Sequence, residues 1–99
     1  MRMLLTVKID TEAGNRAMQD GSWNRMMQAV MEQVKPEAAY AVTLDGKRGG
    51  LMIFDLEDPA QIPSIAEPLF RVAHASVDFA PLMTMEEVQA GLEGVAGTA

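Results

Sequence analysis

The run Arg48 to Leu56, RGGLMIFDL, decides how this chain folds. Leu51, Met52, Ile53 and Phe54 are consecutive, so in an extended strand two of them point to each side and both sides are apolar. A strand with one wet face would alternate instead. The preceding run, Glu37 to Leu44 (EAAYAVTL), is also strand-like, and Asp45-Gly46 stands between the two. Asp-Gly flanked by strand-like runs is a strong hairpin signal, because a type I′ turn needs positive φ at both central residues. The two strands are therefore expected to pair antiparallel.

Outward from this hairpin the pattern alternates between strand and helix. Arg2 to Ile9 (RMLLTVKI) carries Met3, Leu5, Val7 and Ile9 at period two, a strand, and its adjacent Leu4 and Leu5 again point oppositely. Thr11 to Gly21, with Gly14 and the sequence Asp20-Gly21-Ser22, is expected to be a loop or an irregular helical turn. Ser22 then reads as the N-cap of a helix whose Trp23, Met27, Val30, Met31 and Val34 share one face. Pro36 ends that helix by holding Lys35 extended. Beyond the hairpin, Asp58 and Pro59 are expected to open a second helix with Ile62, Ala66, Leu69 and Ala73 on its apolar face. Pro63 and Pro68 within it are expected to kink or split it. Ser76 to Leu82 is a strand, and Thr84 with Glu87 forms a capping box for a short helix striped by Met85, Val88 and Leu92.

The order is that of a split βαβ unit: an α+β, ferredoxin-like βαββαβ domain with a four-stranded antiparallel sheet, two helices on one face and a short C-terminal helix. It spans residues 1–93, with 94–99 as a flexible C-terminal tail. Two helices cover only one face of the sheet, yet the strand at 51–54 is apolar on both. A chain of 99 residues has no second layer to supply. Two copies packed sheet to sheet solve the problem, so a homodimer is expected.

Composition narrows the function. Eight Lys and Arg stand against 14 Asp and Glu, a net charge of −6, which disfavours a phosphate backbone as partner and argues against nucleic acid. The basic groups cluster early. Residues 1–50 carry seven basic and six acidic side chains, residues 51–99 one basic and eight acidic, leaving Arg71 alone in an acidic half. With no cysteine there is no disulfide, thiolate nucleophile or Cys-ligated metal, which fits a cytoplasmic protein. The longest uncharged stretch of the body, Pro59 to Ala66, is far short of a membrane span, so no membrane association is expected. The apolar run at the N-terminus stops at Val7, short of a signal-peptide core.

Four segments carry a resemblance: KPEAAY (Lys35 to Tyr40), GKRGG (Gly46 to Gly50), IPSIAEPLF (Ile62 to Phe70) and FAPLMTMEE (Phe79 to Glu87). Over about residues 1–93 the chain resembles small bacterial proteins of the dimeric α+β barrel superfamily, which includes muconolactone isomerase-like and antibiotic-biosynthesis monooxygenase-like proteins. The resemblance implies the fold and a homodimer. It carries no catalytic residue onto this chain.

Chemistry is therefore read from residue types. His74 is the only histidine, hence the natural candidate for a neutral-pH acid or base. Arg71 and Glu67 stand one and two turns before it on the same helix. The three form either a catalytic cluster, with Glu67 orienting His74 and Arg71 holding an anionic group, or an ordinary salt-bridged helix surface with a terminal histidine on the helix dipole. Trp23 and Tyr40, each unique, are expected to face the interior as pocket walls or as core. Met26, Met27, Met31, Met52, Met83 and Met85 are soft enough to form an adaptable cavity or to fill the core. GKRGG lacks the spacing of a phosphate loop and is assigned to the hairpin, with Lys47 and Arg48 as strand-edge charges. One histidine excludes multi-histidine metal sites, and Asp58 is explained by capping, so neither metal nor cofactor is expected.

Three functions follow. The first is a homodimeric binding protein holding a small organic molecule in an apolar pocket bordered by Tyr40, Trp23 and Arg48. The second is a cofactor-free isomerase or monooxygenase using that pocket, with His74 moving a proton and Arg48 or Arg71 steadying negative charge. The third is a protein-interaction dimer without catalysis.

Overall fold

The computed structural model describes residues 1–95 of the chain, so most of the expected tail at 94–99 lies outside the described residues. The elements run β1 (Arg2–Lys8), α1 (Thr11–Asp20), α2 (Ser22–Val34), β2 (Ala38–Leu44), β3 (Lys47–Asp55), α3 (Gln61–Ala73), β4 (Ser76–Pro81) and α4 (Met85–Glu93). The class is α+β. The four strands form one antiparallel sheet in the order β2-β3-β1-β4, with β1 and β3 central. The element order departs from the expected βαββαβ because the first crossover holds two helices instead of one.

That additional helix stands where a loop or an irregular helical turn was expected at 11–21. Asp10 caps it, accepting from the Ala13 backbone N–H at 3.0 Å, and its buried side consists of Ala13, Gly14 and Ala17. A side this small lets α1 pack closely against α2 and α3. A Cβ on Gly14 would stand 3.0 Å from Ile9 Cγ2 and 3.1 Å from Arg48 Nη1. Gly21, at φ +83°, ends α1 and is also the N-cap of α2, the role expected of Ser22. Ser22 instead donates its backbone N–H to the Asp20 carboxylate at 2.8 Å. Lys35 is left-handed (φ 49°, ψ 61°) and not extended: Pro36 forbids the right-handed helical region, and this residue takes the other compact one.

The turn between β2 and β3 has positive φ at both Asp45 (53°) and Gly46 (75°), as the Asp-Gly pair requires. The cap of α3 falls later than expected, on Ala60, while Asp58 accepts from the Ala60 N–H at 2.9 Å within the preceding turn. The prolines do not split α3, which runs unbroken from Gln61 to Ala73. Pro63 lies in the first turn, where its missing N–H would have had no helical partner anyway. Only Pro68 removes an internal bond.

One core holds the body together. Met3, Leu5, Val7, Met52 and Phe54 project from the central strands against Met26, Val30, Ile65 and Leu69 of α2 and α3, all buried. Phe54 and Phe79 meet edge to face with centroids 6.3 Å apart. The other face of the sheet is covered by none of α1, α2 and α3: Leu4, Thr6, Leu51 and Ile53 lie there half-buried. The radius of gyration is 16.3 Å, above the ~13 Å of a compact chain this long. A terminal helix standing off the body accounts for it.

That helix is α4, which has no buried residue; Met85 and Leu92 are 80% and 54% exposed. Its start is fixed locally by the expected capping box, Glu87 N–H to Thr84 Oγ1 at 3.1 Å and Thr84 N–H to Glu87 Oε1 at 2.9 Å. The bond from the Thr84 N–H holds the Glu87 carboxyl below the ordinary glutamate range, with Arg2 contributing at longer reach. A depressed folded pKa stabilises the helix start above the unfolded value, and that stabilisation is lost as pH falls through the folded value. Acid titration followed through the Cα chemical shift of Val88 should show α4 fraying only below the ordinary carboxylate range. In Thr84→Ala the same shift should be frayed already at neutral pH, and an unchanged shift there would remove the box as the cause.

Candidate functional site

The sheet extends further than the helices do. In the core, α2 and α3 pack over β1 and β3, whereas every residue of the edge strand β2 is exposed or half-buried. Register decides what lines the space between β2 and α2. Ala39 opposes Met52, Ala41 opposes Gly50 and Thr43 opposes Arg48, all on the helix side of the sheet. Alanine and glycine leave this floor low. The result is an open cleft of about 760 Å³ whose far wall is Trp23, Met27 and Met31 of α2, with Met18 of α1 beside them. Val7, Ile9 and Leu69 close its deep end.

Arg48 is the only charged residue in this lining, and the remaining polar groups are few. Its guanidinium Nη2 donates to Asn15 Oδ1 of α1 at 2.8 Å. Tyr40 and Val42 border the cleft along the edge strand, but the register turns their side chains to the opposite, open face. Tyr40 is 62% exposed, which corrects its expected interior position: β2 is an edge strand with neither face covered. Trp23 is half-buried and packs against the core as expected.

The structure therefore brings Trp23, Arg48 and, along its backbone edge, Tyr40 to one cleft. It places His74, Glu67 and Arg71 elsewhere. His74 is the exposed left-handed residue (φ 46°) that ends α3, its backbone N–H donated to the Phe70 carbonyl at 3.1 Å. Glu67 and Arg71 form an exposed ion pair at 3.3 Å one turn apart. None of the three lines a described cavity. Of the methionines, Met27, Met31 and Met52 line the cleft; Met26 is core, and Met85 stands exposed on α4. Sequence reasoning missed Met18, Ala39, Ala41 and Gly50. The available signal was the small residue at alternate positions of EAAYAVTL, which leaves volume where a larger side chain would fill it.

A smaller cavity of about 420 Å³ lies on the open face between the sheet and the start of α4, where Met83 stands beside Ile53 and Leu82. Its charged groups are already paired: Arg2 makes a two-point contact with Glu37 (2.8 and 3.1 Å), and Glu87 serves the capping box. Among the described residues no cluster of three or more His, Cys, Asp or Glu could hold a metal ion, and no helix is long and apolar enough to cross a membrane. No protein-family model matches the chain, and no curated protein is significantly similar to it.

Proposed function

We propose that this protein is a homodimeric small-molecule-binding protein whose ligand occupies the cleft between β2 and α2. The cleft itself carries the reading. Its volume of about 760 Å³ falls in the range of small-molecule sites, roughly 300–1,000 Å³, and its walls are apolar with one polar border. Methionines at 18, 27, 31 and 52 give walls that adapt to a ligand's outline. Binding is favoured over turnover because the described lining holds no histidine or carboxylate to move a proton. The second copy covers the open sheet face, in keeping with the resemblance to dimeric α+β barrel proteins. A cytoplasmic setting fits a chain without cysteine.

A neutral apolar reporter tests the cleft directly. N-phenyl-1-naphthylamine should brighten on binding the unaltered protein, and Ala41→Phe, which raises the floor under α2, should weaken that binding by about tenfold or more. Ala41 is exposed on the edge strand, so the variant should fold with an unchanged far-ultraviolet spectrum. Equal brightening in both proteins would place the reporter elsewhere and end this reading.

A further inference from the structure

The border of the cleft has an asymmetry that the apolar walls do not explain. Arg48 points to the helix side of the sheet, directly across from Thr43, while its neighbour Lys47 is on the opposite face. The guanidinium is held in place. Nη2 is anchored on Asn15, and Nη1 lies against Gly14, where even a methyl group would approach to 3.1 Å. A guanidinium has five N–H donors, and the bond to Asn15 uses one. The four described ion pairs join the N-terminus to Asp55, Arg2 to Glu37, Lys8 to Asp45 and Arg71 to Glu67; Arg48 is in none of them. In a chain of net charge −6, one positioned cation without a carboxylate stands at the edge of an apolar cleft.

We propose that the ligand is an amphiphilic monocarboxylate, an alkyl or aryl acid. Its apolar body lies among Trp23, Met27, Met31 and Met52, and its carboxylate meets Arg48. The inference rests on the binding reading above and names the ligand class for the same cleft. The planar guanidinium fork matches a carboxylate in two parallel hydrogen bonds, stronger than bonds between neutral groups. A single cation suits a single negative charge. A phosphate monoester would bring a second charge to a lining with no further cation, and an organic cation would meet Arg48 as a like charge.

The test displaces N-phenyl-1-naphthylamine from the full chain with decanoate or with decan-1-ol, below the concentration at which either aggregates. In Arg48→Met the ratio of decanoate to decan-1-ol affinity should fall about tenfold to a hundredfold from its unaltered value, the loss expected of a charge-assisted hydrogen-bonded pair. Arg48→Lys should retain part of the preference, because the charge stays and the fork is lost. An unchanged ratio in Arg48→Met would overturn the carboxylate assignment while leaving the cleft as a site for neutral ligands. A reporter insensitive to Ala41→Phe would instead remove the binding reading, and this inference with it.

Discussion

Chains carrying Leu51→Asp and Ile53→Asp together should sediment as monomers under conditions in which the unaltered protein should sediment as the proposed dimer. Both residues sit on the open face of β3 at the middle of the sheet, Ile53 between Leu4 and Ala38, and Leu51 between Thr6 and Tyr40. Tyr40 and Val42 widen the same apolar patch along the edge strand. Ion pairs border it, Arg2 with Glu37 at 2.8 Å near one end and Lys8 with Asp45 at 3.2 Å near the other. An apolar centre with a polar rim is the anatomy of a protein interface, and a patch of this kind on one chain is satisfied by the same patch on a second. Two aspartates per chain would place four like charges in the middle of the joint face, each losing water without a partner. Neither residue belongs to the helix-side core, so Trp23 fluorescence and far-ultraviolet circular dichroism should remain native. The proposal of a homodimer fails if the unaltered protein is a monomer at micromolar concentration, or if the double variant still sediments as a dimer.

How much of this was legible in the sequence depended on whether the decisive chemistry was local. Asp45-Gly46 and Thr84 with Glu87 each determine a backbone conformation within four residues, and both turn and cap stand where the sequence places them. The helix at Thr11–Asp20 did not announce itself, since its buried side is Ala13, Gly14 and Ala17, too small to make an apolar stripe. At Gly14 the smallness is set by what lies against it, the Ile9 side chain just past β1 and the Arg48 guanidinium from β3, a contact made only in the assembled fold. The two-sided apolar character of β3 was plain in Leu51 to Phe54. Which side the helices would take was not.

The candidate site divides in the same way. Trp23 and Arg48 stand out by type, and both reach the cleft. Tyr40 stands out equally, yet pairing opposite Leu51 sends its side chain to the other face, a consequence of register that no single strand contains. The cleft itself is a deficit of volume. Ala39, Ala41 and Gly50 matter because α2 stops short of covering them, and the reach of one helix over an edge strand is a property of the assembled layers. His74 shows the converse: a unique residue type in the chain, employed by the fold as the left-handed end of α3.

Phe54→Ala should destabilise the fold by about 3–5 kcal/mol, a large part of the 5–15 kcal/mol that holds a typical domain together. Phe54 is 1% exposed, the largest of the fully buried side chains, and lies edge to face on Phe79 of β4 while its backbone pairs with Met3 of β1. Truncation removes apolar contact from three strands at once and leaves a cavity between a sheet and helices that are themselves fixed by Leu5, Ile65 and Leu69. Little can move in to fill it. Urea unfolding followed by Trp23 fluorescence, at matched protein concentration because the proposed dimer would couple stability to mass action, should show the loss. Phe54→Leu should recover much of it by refilling the volume. The effect bears on function through β3, which carries Phe54 at one end and Gly50 and Arg48 towards the other, so a loosened anchor would lower affinity in the cleft without touching its lining. A loss below about 1 kcal/mol would mean that the sheet and helices can close over the missing ring.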